Sequence, residues 1–345
     1  MSKRRKCLTV LEISEMMQTI SDTDSEADSD SNDSDTIIYY RTLLNNALIF
    51  RENEVADMMN HESRWYFSTE EMSHSPNMKL LQHPIKELLF RQSAATFIQH
   101  IGQKLNLSQL CICTATVYIH RFYMFFSLED VDTNKLSMVS LFLAGKTQNE
   151  FRKLEHIIKV AHAHMNPLFP VIDVQSEDYL LLKDELIFLE TILLQVLGFE
   201  VEIELPHPYI VKICQLIKGS KELAIRSYIL ATSSIMASTL CLQYNPKIVA
   251  CVCINLGARW SRVEIDSGSE KHPWFYYVDS TLNAEFLNEL TDELGKTILK
   301  NLISMNSPVL TLTEMPSIPE EVIVPGVSNV KEIVVKIPRD FVIVK

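Results

Sequence analysis

Between residues 85 and 302 apolar residues recur every three or four positions, the spacing that places them on one face of an α-helix. Over 85–105 the stripe is Ala94, Phe97, Ile98, Ile101 and Leu105. Over 108–126 it is Ile112, Ala115, Ile119, Phe122 and Phe126, with Val117 and Tyr118 on another face and Ser108 placed to cap the helix. A third run, Leu136–Thr147, follows the turn Asp132-Thr133-Asn134. Met138, Leu141, Phe142 and Gly145 share a face, and Val139 and Leu143 extend the apolar surface around the cylinder. A helix apolar most of the way round belongs inside a bundle. Ala144 and Gly145 leave room for another backbone to approach, and Lys146 ends the run with a cation where the helix dipole favours one. The fourth run carries Leu154, Ile157, Ile158 and Ala161. The fifth opens after Ser176 and carries Leu182, Leu186, Leu189, Leu193 and Val196. It stops at Gly198, in the place of a C′ glycine.

A connector, Phe199–Pro208, leads to a second set of runs. Ile210, Cys214 and Ile217 end at Gly219, and Ala224, Tyr228, Ala231 and Ile235 follow. Asn245-Pro246 opens a helix with an N-cap asparagine and a proline at the first helical position, ahead of Val249, Val252 and Leu256. The aromatic knot Trp274-Phe275-Tyr276-Tyr277 reads as core and as the start of a short fourth helix, and Leu287, Leu290, Leu294 and Ile298 mark a long last one. The two sets look like copies. Leu143-Ala144-Gly145-Lys146 corresponds to Leu256-Gly257-Ala258-Arg259, with 113 residues separating the two cations. The pattern therefore predicts an all-α protein of two tandem five-helix units, residues 63–200 and 201–304.

The flanks read differently. Residues 1–62 contain the basic cluster Lys3-Arg4-Arg5-Lys6, compatible with nuclear import or with a plain solvated terminus. Ser21–Asp35 is a Ser/Asp run with almost nothing to bury, expected to be disordered and to attract acidophilic kinases at Ser21, Thr23 and Ser25. Residues 37–59 hold enough apolar positions for a further helix. Residues 305–345, rich in proline with β-branched stretches such as Glu332–Ile337, read as disordered or partner-binding.

Composition narrows the chemistry. Only 8 of 345 residues are glycine, all isolated, so no phosphate-cradling loop is present. The net charge of −12 argues against direct binding to DNA or RNA phosphates. Cys111/Cys113 and Cys251/Cys253 form C-x-C pairs, but residues two apart on a helix do not share a face, so buried thiols are expected rather than a metal clamp. The odd count of 7 cysteines fits a reducing compartment. His156, His162 and His164 cluster on one run, but no carboxylate or thiol completes a ligand set by spacing. No metal or cofactor, no catalytic constellation and no membrane span is expected.

Several stretches together resemble the cyclin family, nearest to the T-type cyclins. In the first unit they are Arg64-Trp65-Tyr66-Phe67, Val117–Met124, Lys153-Leu154-Glu155-His156, Leu189-Glu190 and Gln195–Glu200. In the second they are Leu242-Gln243-Tyr244 and Val249–Ile254. The resemblance covers roughly residues 64–302 and implies paired cyclin boxes in a nuclear, non-catalytic protein. Such a protein binds and activates a cyclin-dependent kinase in transcription elongation by RNA polymerase II. Elongation scaffold proteins are possible further partners, and the resemblance sets the aromatic knot near a groove between the two units where they dock.

It further implies that Lys146, ending the third helix, and Glu190, on the fifth, bond backbone groups of the kinase, with Phe142 supplying apolar contact one turn earlier. Without the resemblance, Lys146 reads first as a cation serving its own helix end, Glu190 reads as an exposed carboxylate, and Phe142 reads as core as readily as interface. T-type cyclins follow the lysine with Val-Glu-Glu. Here Thr147-Gln148-Asn149 stands there, with Glu150 one place later and Gly145 in place of an alanine. Asn149 joins the expected kinase-facing residues, and the lost charges favour a second reading, a cyclin-fold scaffold that activates no kinase.

Overall fold

Lys146 owes its position to the helix Thr133–Thr147, buried on nearly every side, and the first bundle is assembled around that helix. The computed structural model describes residues 65–304, apart from 82, 266–272 and 281. The basic cluster, the acidic run, the helix expected over 37–59 and the C-terminal tail lie outside the described residues. Two short helices, α1 (Thr69–Ser73) and α2 (Pro76–Leu81), precede the first bundle. The bundle consists of α3 (Pro84–Lys104), α4 (Gln109–Phe122), α5 (Thr133–Thr147), α6 (Leu154–Met165) and α7 (Glu177–Val196). Ser108, Asp132 and Ser176 cap α4, α5 and α7, each accepting from a backbone N–H three residues on. Leu136, Met138, Val139, Leu141, Leu143 and Ala144 of α5 are all buried, as the near-continuous apolar pattern requires. Phe142 is the exception, only half-buried.

The second bundle is α8 (Pro206–Leu216), α9 (Lys221–Ala237), α10 (Pro246–Ser261) and α11 (Ala284–Ser304), with 3-10 turns at Leu240–Leu242 and Trp274–Tyr277. Its core gathers Ile210, Ala231, Val252, Cys253, Ile254 and Leu294 among others. Asn245 accepts from Lys247 N–H as the N-cap of α10, with Pro246 in the first turn. The fourth helix shrinks to the single 3-10 turn at the aromatic knot: Trp274 and Phe275 are buried, while Tyr276 and Tyr277 are exposed. The connector ends earlier than its prolines suggest. Pro206 and Pro208 lie in the first turn of α8, where the missing N–H costs nothing.

Five helices end the same way. After α3, α5, α7, α8 and α10 a residue turns left-handed (after α7 Phe199 follows Gly198 into that region), and the next N–H bonds a carbonyl five residues back. The left-handed residues are Asn106, Asn149, Gly198, Lys218 and Arg262. The closing bonds are Leu107 to Gly102, Glu150 to Gly145, Phe199 to Leu194, Gly219 to Cys214 and Val263 to Ala258, at 2.8–3.0 Å. Gly219, expected as the stop of α8, is thus the residue after the turn. Lys218 takes the left-handed conformation itself.

Polar contacts join the bundles where α9 ends. The carbonyls of Ile235 and Ala237, in the last turn of α9, accept from His120 Nε2 (2.9 Å) and Gln92 Nε2 (2.8 Å) of the first bundle. Cys113 and Val117 of α4 pack beside them against Leu205 and Ile235. The entry segment is held in the same region. Trp65 Nε1–H donates to Glu200 at 2.7 Å, the Arg121 guanidinium lies 4.4 Å from the indole, and Phe67 N–H donates to Leu242 O at 2.7 Å. Arg91, 1% exposed, serves Glu87 (2.8 Å), His120 O (3.0 Å) and Tyr123 O (3.1 Å), which neutralises a charge that could not otherwise be buried.

Candidate functional site

At the C-terminal end of α5, Lys146 Nζ lies 2.7 and 2.9 Å from the two carboxylate oxygens of Glu190, one turn and a half before the end of α7. It also sits 3.9 Å from the centroid of the Phe142 ring. Three of the residues expected to face a kinase are therefore in mutual contact. The cation does not serve its own helix end. The Ala144 and Gly145 carbonyls are taken by Gln148 N–H, Thr147 Oγ1 and Glu150 N–H. Nor is Glu190 a plain solvated carboxylate, since its side chain is 13% exposed and paired.

Asn149, the fourth expected residue, holds the left-handed position that ends α5, at φ 57°. Asparagine tolerates that region better than most side chains. The turn folds the chain back sharply. A Cβ on Gly145 would stand 3.2 Å from Glu150 O, so the backbone that approaches the small residues is the loop immediately following. Glu150 faces away from the patch. Its carboxylate accepts from Ser108 N–H at 2.7 Å and from Ser108 Oγ, at the N-terminus of α4 where a negative charge is favoured. Arg152 then donates to the carbonyls of Leu105 (2.8 Å), Asn106 (2.9 Å), Glu150 (3.2 Å) and Phe151 (3.1 Å).

Between these two braced residues Phe151 is 58% exposed, and its ring centroid lies 6.2 Å from that of Phe142. Phe151 and Arg152 lie outside the helical periodicity and the stretches of family resemblance. The available signal was an aromatic residue flanked by opposite charges directly after a helix end.

The cysteine pairs behave as small apolar groups. Cys111, Cys113, Cys251 and Cys253 are fully buried, and desolvation pushes each thiol up to about 12. Of the clustered histidines, His164 lies tilted against His100, centroids 5.1 Å apart, and edge-to-face with Phe97 at 5.6 Å. Among the described residues no three His, Cys, Asp or Glu side chains converge as metal ligands.

The site thus offers a paired charge on two packed helices with an aromatic border. The third-helix cation bonded to a fifth-helix acid recurs in the second bundle, where Arg259 bonds Asp292 at 2.7 Å. The profile described as Cyclin, N-terminal domain matches residues 62–202, and that described as Cyclin-T2-like, C-terminal domain matches residues 205–297. The chain belongs to the cyclin family. This cyclin is 49% identical to Cyclin-T2 of Homo sapiens over 238 residues, 69% of this chain and 33% of that protein. It is 47% identical to Cyclin-T1 of Homo sapiens over 241 residues, 70% of this chain and 33% of that protein. Identity to Cyclin-T of Drosophila melanogaster is 43% over 249 residues, 72% of this chain and 21% of that protein. The cyclin therefore spans a third or less of these relatives' lengths. Its fold is similar to a chain in the crystal structure of the yeast RNA Pol II CTD kinase CTDK-1 complex. The TM-score is 0.55 at 13% identity, covering 70% of this chain and 73% of that one.

Proposed function

We propose that this cyclin is a non-catalytic, nuclear regulatory subunit that binds and activates a cyclin-dependent protein kinase acting on transcription elongation by RNA polymerase II. Residues 63–200 and 201–304 are its two cyclin boxes, and Phe142, Lys146, Asn149 and Glu190 face the kinase. The observation that carries the reading is the convergence of Lys146, Glu190 and Phe142 on one edge of the first bundle. A cation and an anion fixed on two packed helices are preorganised to bond the backbone of a partner helix and loop by charge-assisted hydrogen bonds. Held there, the partner's own catalytic lysine–glutamate pair is completed, which is how such an activator works without chemistry of its own.

A second reading, a scaffold in a transcription complex that activates no kinase, has one observation in its favour. An open groove of about 490 Å³ on the second bundle is bordered by Arg259, Arg262 and Glu264 as well as Val263, Trp274 and Phe275, a surface suited to a mixed polar and apolar peptide segment of an elongation scaffold.

Co-purification of the full chain from nuclear extract separates the two. The first reading expects a cyclin-dependent kinase in the eluate, lost with Lys146→Glu and with Glu190→Lys. Recovery of scaffold proteins without any kinase would replace it with the second.

A further inference from the structure

We infer that Phe151 is a binding anchor of the same patch, and that its counterpart on the kinase is an apolar socket of aliphatic side chains beside the groups that meet Lys146 and Glu190. This rests on the kinase-binding reading above.

Three features of the loop carry it. First, Phe151 continues an unbroken chain of contacts: Glu190 to Lys146 (2.7 Å), Lys146 to the Phe142 ring (3.9 Å), Phe142 to the Phe151 ring (6.2 Å). It is the outermost link and the most exposed of the rings, at 58%. Second, its backbone is clamped on both sides. Glu150 is held by Ser108, and Arg152 grips four carbonyls, including that of Phe151 itself. An aromatic side chain on a fixed backbone has two torsions to lose on binding, so burying it costs little entropy. Third, the charges around it are already answered. Glu150 is turned to Ser108 and Arg152 to backbone carbonyls. What remains for a partner at Phe151 is an exposed aromatic edge with the Phe142 ring beside it. An apolar surface complements that edge, whereas a charged one would be desolvated there without a partner.

The test measures the affinity of the full chain for purified catalytic subunits of kinases that phosphorylate the RNA polymerase II C-terminal domain, by calorimetry. Phe151→Ala should weaken binding at least about tenfold. Phe151→Leu should stay within about threefold of the wild type, while Phe151→Gln falls with alanine. All three variants should melt with the wild type, because the ring is mostly in solvent. If Phe151→Ala binds as the wild type does while Lys146→Glu does not, the anchor is refuted and the kinase-binding reading stands. If Phe151→Gln binds as well as Phe151→Leu, the apolar socket is refuted. If the wild-type chain binds none of the kinases, both ideas fall together.

Discussion

Arg259 at the end of α10 bonds Asp292 on α11, the relationship that Lys146 at the end of α5 has to Glu190 on α7. The two cations are 113 residues apart, and so are the left-handed residues that end their helices, Asn149 and Arg262. The duplication therefore extends from apolar pattern to side-chain pairing and helix termination. The acids are 44 and 33 residues beyond their cations, because a 3-10 turn replaces the fourth helix in the second bundle.

The duplication provides an internal control. Both pairs reach the surface, so breaking either should cost about 0.2–1 kcal/mol of stability. Lys146→Glu should abolish kinase binding, and Arg259→Glu should leave it within about threefold. The exchange Lys146→Glu with Glu190→Lys restores the internal pair and should recover melting temperature but not kinase binding. Thermal melts and calorimetry on the same samples read both quantities.

Stability should depend far more on Arg91. Arg91→Met leaves Glu87 buried without its cation and deprives the His120 and Tyr123 carbonyls of their donors. The expected loss is about 3–5 kcal/mol, read as a fall in the urea midpoint at unchanged slope.

His120 and His207 should make the protein acid-sensitive. Burial pushes both down to about 3, with the Arg91 cation adding to the shift at His120. Above the unfolded value near 6.5 the neutral rings cost nothing. As pH falls from about 6.5 towards 3 the unfolded chain takes up protons that the folded one refuses, and each histidine removes about 1.4 kcal/mol of stability per pH unit. His207→Gln should flatten the slope of unfolding free energy between about pH 6.5 and 5.

Asn149 holds the loop that presents Phe151. Asn149→Val forces a β-branched side chain into the left-handed region and should cost about 1–2 kcal/mol. Asn149→Gly should keep stability. Calorimetry with the glycine variant then shows whether the asparagine side chain itself touches the kinase.

The helices and their caps were legible because each was written locally. Ser108, Ser176 and Asn245 sit where capping chemistry requires, and the all-round apolar pattern of Leu136–Thr147 places α5 inside the bundle. Glycine as a stop signal found Gly198 and, one residue late, Gly219, but gave no sign of three other ends, because Asn106, Asn149 and Arg262 adopt the left-handed turn without it. Lys146, Phe142 and Glu190 were picked out singly through the family resemblance. Their mutual contact depends on how α5 packs on α7, which spacing along one helix does not encode. Phe151 escaped for a similar reason: its setting is made by Ser108 and Leu105, more than forty residues away.

The most direct measurement is phosphotransfer to RNA polymerase II C-terminal-domain peptides by purified elongation-type kinase subunits, with and without the full chain. A gain in rate on adding the chain, absent with Lys146→Glu, is the predicted result. A kinase rate unchanged by saturating wild-type chain across the panel would contradict the claim that the patch around Lys146 and Glu190 activates a kinase.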